Sequence, residues 1–169
     1  MKSMWISRTL ALYVLISITL IGSGCGSSGN PANSPFDAGN RLAYKSIRRG
    51  NQEIYVVNIA GTEEVNLTNH PGQDSSPSWS PDGSQIVFVS DRDQDFELYH
   101  MNADGTNPTR LTTRPGEDVS PAWSPDGSRI AYTADVRGNF DIYMMNPDGS
   151  DVVRLTSGRE LDGSPTWSP

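Results

Sequence analysis

The sequence predicts an all-β fold of β-propeller blades, each of four short antiparallel strands, with about three blades present as an incomplete propeller. Three observations carry this expectation: an internal repeat of 44 residues, strand-length runs of β-branched and aromatic residues, and turn motifs between those runs. The 169 residues include 16 Gly and 12 Pro, a density that cuts the chain into short elements and argues against long helices. With 35% hydrophobic and 20% charged residues, the composition fits neither a membrane bundle nor a highly charged disordered tail.

The repeat is without insertion or deletion. Ser76-Pro-Ser-Trp-Ser-Pro-Asp-Gly-Ser84 returns as Ser120-Pro-Ala-Trp-Ser-Pro-Asp-Gly-Ser128 and begins again as Ser164-Pro-Thr-Trp-Ser-Pro169. The same register aligns Trp79, Trp123 and Trp167; Tyr55, Tyr99 and Tyr143; Gly61, Gly105 and Gly149; and Leu67, Leu111 and Leu155.

Within one period, Gln85–Ser90 and Phe96–Asn102 read as strands. Ile86 and Phe88 fall on one face of the first and Val87 and Val89 on the other, so both faces are apolar, as in a sheet stacked between neighbours. Ser80-Pro-Asp-Gly83 places Pro second and Gly fourth, which suits a type I turn. Asn146-Pro-Asp-Gly149 repeats that chemistry before a short last strand at Val152–Thr156, and Asp91–Asp95 makes the remaining hairpin connection.

Ahead of the repeat, Met1–Arg8 is basic, Thr9–Ile21 is almost wholly apolar, and Gly22, Ser23 and Gly24 lead to Cys25. Thirteen residues rise about 20 Å as a helix, short of a bilayer core of about 30 Å, so residues 1–24 read as an export signal peptide. Small residues before a cysteine resemble a bacterial lipobox, which implies lipidation of Cys25 at the mature N-terminus. Gly22 departs from the aliphatic residue usual there, and ordinary cleavage near Gly24 is the alternative. Residues 25–40, rich in Gly, Ser, Asn and Pro, read as a lipid-anchored flexible linker, and residues 41–169 as three blades truncated in the next repeat.

The formal charge is −7; without Lys2 and Arg8 the counts are 11 basic against 20 acidic, a net of −9. Such a field opposes non-specific binding to nucleic acid or anionic lipid, although Arg41, Lys45, Arg48 and Arg49 form a small local basic patch. One cysteine permits no internal disulfide.

The run from Ser76 to Thr112, SPSWSPDGSQIVFVSDRDQDFELYHMNADGTNPTRLT, resembles the WD-like repeat of TolB-type β-propellers, and the resemblance extends over about residues 41–169. It implies a non-catalytic binding module of the periplasm and cell envelope, comparable with Tol-Pal components, that holds a protein or glycan partner. Gly26 rather than Asp after Cys25 resembles the pattern of lipoproteins that pass to the outer membrane, which implies an outer-membrane anchor if the host is Gram-negative. TolB-type propellers close with six or more blades, whereas strand sets here begin at Arg41, Gln85 and Arg129 only. The expectation is a piece of a longer ring, or self-association of copies through open propeller ends. Because prolyl-oligopeptidase-like serine hydrolases carry similar blades, an alternative is the N-terminal propeller of such an enzyme, with its catalytic domain beyond Pro169.

Candidate chemistry is sparse. His70 and His100 occupy unmatched places in the repeat, and no Gly-x-Ser-x-Gly or metal-spaced His pair is present, so no catalytic residue, no metal and no cofactor is expected. Asp91, Asp93 and Asp95 alternate as in a calcium loop, but Phe96 and Asn102 stand where that loop needs Gly and a carboxylate. Asp74, Asp118 and Asp162 recur two residues before each Ser-Pro. Strand order in this repeat type puts them at one mouth of the central channel, where they either lock neighbouring blades through backbone hydrogen bonds or receive a basic segment of a partner. The tryptophans are expected to pack between blades. Mass spectrometry of the mature N-terminus is expected to show a diacylated Cys25; a free thiol, or cleavage elsewhere, would contradict the lipoprotein reading.

Overall fold

A computed structural model describes residues 41–169; the signal segment, Cys25 and the linker lie outside the described residues. The described chain is all-β, in three antiparallel sheets that follow the repeat. The first sheet contains β1 (Arg41–Arg48), β2 (Asn51–Asn58) and β3 (Val65–Asn66). The second contains β4 (Asp74–Trp79), β5 (Gln85–Ser90), β6 (Glu97–Asn102) and β7 (Thr109–Arg110). The third contains β8 (Asp118–Trp123), β9 (Ile130–Asp135), β10 (Phe140–Met145) and β11 (Val153–Arg154). Strands pair in chain order, the arrangement of propeller blades.

The alternation in β5 decides the packing. Ile86 and Phe88 join Ile54 and Val56 of β2 in one buried cluster, while Val87 and Val89 join Ile130, Tyr132 and Ala134 of β9 in another. The middle sheet is thus apolar on both faces because it is covered on both faces. Each blade also carries a tilted aromatic pair across its central strands, Tyr44–Tyr55, Phe88–Tyr99 and Tyr132–Tyr143, with centroids 6.1, 5.8 and 5.8 Å apart.

The turns follow their residues. Gly83 N donates to Ser80 O at 2.9 Å, closing the Pro-Asp turn, and Gly149 N donates to Asn146 O at 3.0 Å. Asp82 accepts from Ser80 Oγ at 2.6 Å and from Ser84 N at 3.0 Å, so both serines of the motif hold the aspartate in place. Gly105 and Gly149 each have φ of +84°, and a Cβ there would meet the carbonyl oxygens of Leu67 and Leu111 at 2.7 and 2.8 Å. The recurring Gly and Leu are therefore one inter-blade contact: the turn of one blade lies against the last strand of the blade before it.

Three details differ from the sequence expectation. β6 starts at Glu97, because Phe96 O is taken by Asp118 N of the next blade at 2.7 Å. β11 covers only Val153–Arg154, since Leu155 N and Thr156 N both turn to Ile142 O. β4 and β8 are bulged at their Ser-Pro steps, where Ser76 and Ser120 take φ of 51° and 53°. Leu98 is fully buried whereas Leu161 is largely exposed. Leu98→Ala is expected to cost about 2–5 kcal/mol in denaturant unfolding, and Leu161→Ala less than about 0.5 kcal/mol.

Candidate functional site

The recurring aspartates sit at the N-terminal ends of β4 and β8, beside the ends of the neighbouring blade's strands. Asp74 is 0% and Asp118 5% exposed, so both carboxylates lie inside the blade stack; Asp162 is half-buried. The Asp74 carboxylate interacts with Ser90 and Arg92 of its own blade and with Thr68 of the preceding one, Arg92 reaching Oδ1 at 3.0 Å. The Asp118 carboxylate likewise interacts with Thr112 and Glu97 of the preceding blade.

A second acid recurs at the same period. Glu53, Glu97 and Asp141 open the inward parts of β2, β6 and β10, and all three are buried. Thr68 Oγ1 donates to Glu53 at 2.5 Å and Thr112 Oγ1 donates to Glu97. The hydroxyls of Thr68, Thr112 and Thr156 in turn accept from the backbone N–H of Ile54, Leu98 and Ile142 at 3.0, 2.9 and 3.0 Å. Arg110 pairs with Glu97, and Arg154 with Asp141 at 2.6 Å. Each junction is thus a small network of acid, threonine and arginine under the edge of a sheet, with nearly every donor used.

The electrostatics are set by burial. Removal from water pushes the Asp118 carboxyl up to about 7; the negative Glu97 adds to the rise, and the hydrogen bond from Thr112 opposes it. Asp74 is raised for the same first reason, with Ser90 and Arg92 acting in the other direction. At the opposite end of the strands, Ser124 and Ser128 hold Asp126 down at about 2. That end carries a cleft of about 300 Å³ between successive blades, lined by Ser80, Pro81, Asp82, Trp123, Asp126 and Pro147 among others.

The other singled-out residues are dispersed. Trp79 and Trp123 pack against the two inter-blade clusters, and Trp167 Nε1 donates to Ala122 O at 2.9 Å. His70 Nδ1 accepts from Gly72 N at 3.0 Å, and burial lowers the His100 imidazole's pKa. Asp91 accepts from Gln73 N at 2.6 Å and Asp93 accepts from the Tyr99 hydroxyl, so two carboxylates of the alternating loop are engaged by the protein itself. The basic residues are divided: Arg41 lies over Trp79, while Arg48 lies over Tyr55, pairs with Glu64 at 2.7 Å and lines a cleft together with Arg49. Sequence reasoning missed Glu53, Glu97 and Asp141 because their identity varies between copies; the signal was the Leu-Thr step repeated at Thr68, Thr112 and Thr156.

Stacked antiparallel sheets of three and four strands, joined by buried acid networks, define a β-propeller domain. The chain belongs to the TolB β-propeller domain family, whose pattern matches residues 16–169. It is 37% identical over 59 residues to the Tol-Pal system protein TolB of Francisella tularensis subsp. mediasiatica, a match covering 34% of this chain and 14% of that protein. Among solved structures, a TolB-assigned protein of Agrobacterium tumefaciens superposes with a TM-score of 0.66 at 29% identity, over 73% of this chain and 47% of that one. TolB of Acinetobacter baumannii gives 0.65 at 24% identity, over 75% and 33%. A puromycin-hydrolysing peptidase of Mycobacterium tuberculosis shares the fold at 0.62 and 18% identity, over 80% and 23%. The chain therefore spans less than half the length of each of these relatives.

Since the folded-state pKa of Asp118 lies above its ordinary value, its burial is least costly when the group is protonated, and stability is lost as pH rises from about 4 through about 7. Asp118→Asn is expected to match the wild type in thermal unfolding near pH 4 and to be more stable by about 1–3 kcal/mol at pH 8. A variant less stable than wild type at pH 8 would contradict this assignment.

Proposed function

We propose that this chain is a non-catalytic binding module of the cell envelope, held to the membrane by a lipid on Cys25 and presenting its blades to a protein or glycan partner. The observation that carries the reading is the inward use of the recurring polar groups. Glu53, Asp74, Glu97, Asp118 and Asp141 are buried, and each engages the protein's own hydroxyls or guanidinium groups. Such groups stiffen a scaffold rather than turn over a substrate. The loops between strands then remain as the surface for recognition, as is usual for rigid repeat folds. Membership of the TolB propeller family and the likeness to a Tol-Pal system protein support an envelope setting and a protein or glycan partner of that system. The buried positions of Asp74 and Asp118 favour blade locking over direct contact with a partner's basic segment.

A second reading is the propeller of a serine hydrolase, favoured only by the shared fold of the peptidase relative. The full chain, purified with its native N-terminus, is to be titrated by calorimetry with the host's Pal protein and with peptidoglycan fragments, and assayed on chromogenic peptide substrates. Saturable binding to either ligand without hydrolysis is expected. Peptide hydrolysis abolished by a serine-directed inhibitor, or no binding to either ligand, would overturn the proposal.

A further inference from the structure

We propose that the cleft between the Ser-Pro-Asp-Gly turns of the second and third sheets binds an arginine side chain of a partner protein, at the end of the strands opposite the buried acids. The inference rests on the binding-module reading above and names the chemistry that one face of that module recognises.

The cleft of about 300 Å³ lies at the lower bound of the sizes that enclose small ligands, so it suits one long side chain. Its walls combine Trp123, Pro81 and Pro147 with the carboxylates of Asp82 and Asp126. A guanidinium suits such surroundings, because its plane stacks on an indole while its N–H groups reach acids at the rim. The repeat itself shows that chemistry one blade earlier. Trp79 is the counterpart of Trp123, and the Arg41 guanidinium lies over its ring, 4.9 Å from the centroid. Moved by one period, the place of Arg41 falls to Gln85, which lines the cleft beside Trp123. Glutamine is shorter and uncharged, and among the described residues no guanidinium lies over the Trp123 ring. In the third blade the same position is Arg129, which Asp151 holds at 2.7 Å. The first indole thus takes its cation from its own chain, and the second is built to take one from outside.

The two acids are fit to receive that cation. Asp126 accepts from Ser124 Oγ, Ser128 N and Ser128 Oγ at 2.6, 2.9 and 2.8 Å, all on Oδ1, which leaves Oδ2 for a donor from outside. These bonds hold Asp126 at about 2, and the equivalent bonds from Ser80 and Ser84 hold Asp82 below its ordinary value, so both are ionised at neutral pH. The wider surface has the same sign. Among the described residues, the turns at this end span residues 58–63, 80–84, 102–107, 124–128 and 146–151. They carry Glu63, Asp82, Asp104, Asp126, Asp148 and Asp151, and no lysine or arginine. Arg92, Arg110 and Arg154 serve the other end instead, paired with Asp74, Glu97 and Asp141. A face of one sign draws in a basic partner and orients it, and the cleft then gives one arginine a fixed seat.

The test is a nitrogen–proton NMR titration of the full chain with triarginine, beside trilysine and triglutamate, read at the Trp123 indole N–H and the Gly127 amide. Triarginine is expected to shift both signals saturably, with trilysine about tenfold weaker and triglutamate inert. Asp82→Asn together with Asp126→Asn should weaken triarginine about tenfold, since asparagine keeps an oxygen for the serine bonds and loses the charge. Gln85→Arg should seat the chain's own guanidinium at Trp123, as Arg41 is seated at Trp79, and abolish the shifts while thermal unfolding stays cooperative. Shifts spread evenly over all the turns, equal binding of trilysine, or undiminished binding by Gln85→Arg would mean a diffuse field and overturn the proposal. So would the absence of any shift. If calorimetric binding to Pal or peptidoglycan persists in that case, this site alone is removed; if that binding is absent as well, the binding role falls with it.

Discussion

The structure depends on one constraint: a sheet that is apolar on both faces must be covered on both. β5 meets it with four consecutive side chains, Ile86 to Val89, that feed two different clusters alternately. Each such side chain contributes about 1.5–3 kcal/mol when fully buried, so the middle blade gains most of its stability from its neighbours rather than from itself. The 44-residue spacing is the sequence-level expression of that dependence. It keeps every apolar position in register with its counterpart on the next sheet, and it returns each turn glycine to the last strand of the blade before it.

Polar groups follow the same geometry. Where blades meet at one end of the strands, an acid from a first strand and an acid from a third strand converge on a threonine whose hydroxyl also accepts a backbone N–H. Burying two carboxylates close together is costly, and the raised pKa of Asp118 records that cost. The threonine and arginine donors offset part of it and give the junction a direction that apolar contact lacks. The result is a stack that specifies which blade follows which, a property suited to a rigid recognition scaffold.

Much of this was legible in the sequence. Strand positions, the Pro-Asp-Gly turns and the opposed faces of β5 all follow from periodicity and turn chemistry. The strand sets beginning at Arg41, Gln85 and Arg129 gave the blade count, and the tryptophan spacing gave the period. The site was less legible. Glu53, Glu97 and Asp141 alternate between two acids, and their arginine partners are Arg110 and Arg154 but Asn66 in the first copy, so identity alone does not reveal the network. The four basic residues near Arg41 illustrate the converse. They are close in sequence, yet β1 is extended at about 3.3 Å per residue, and Arg41 and Arg48 stand at its two ends beside different aromatic rings.

That blades are stabilised face to face through separate clusters is tested most directly by double-mutant cycles on unfolding free energy. Phe88→Ala combined with Ile54→Ala joins two sheets through one cluster, while Phe88→Ala combined with Ile130→Ala joins residues of different clusters. The first pair should show a coupling of about 1 kcal/mol and the second should be additive to within about 0.5 kcal/mol. Additivity in the first cycle, or equal coupling in both, would contradict the account.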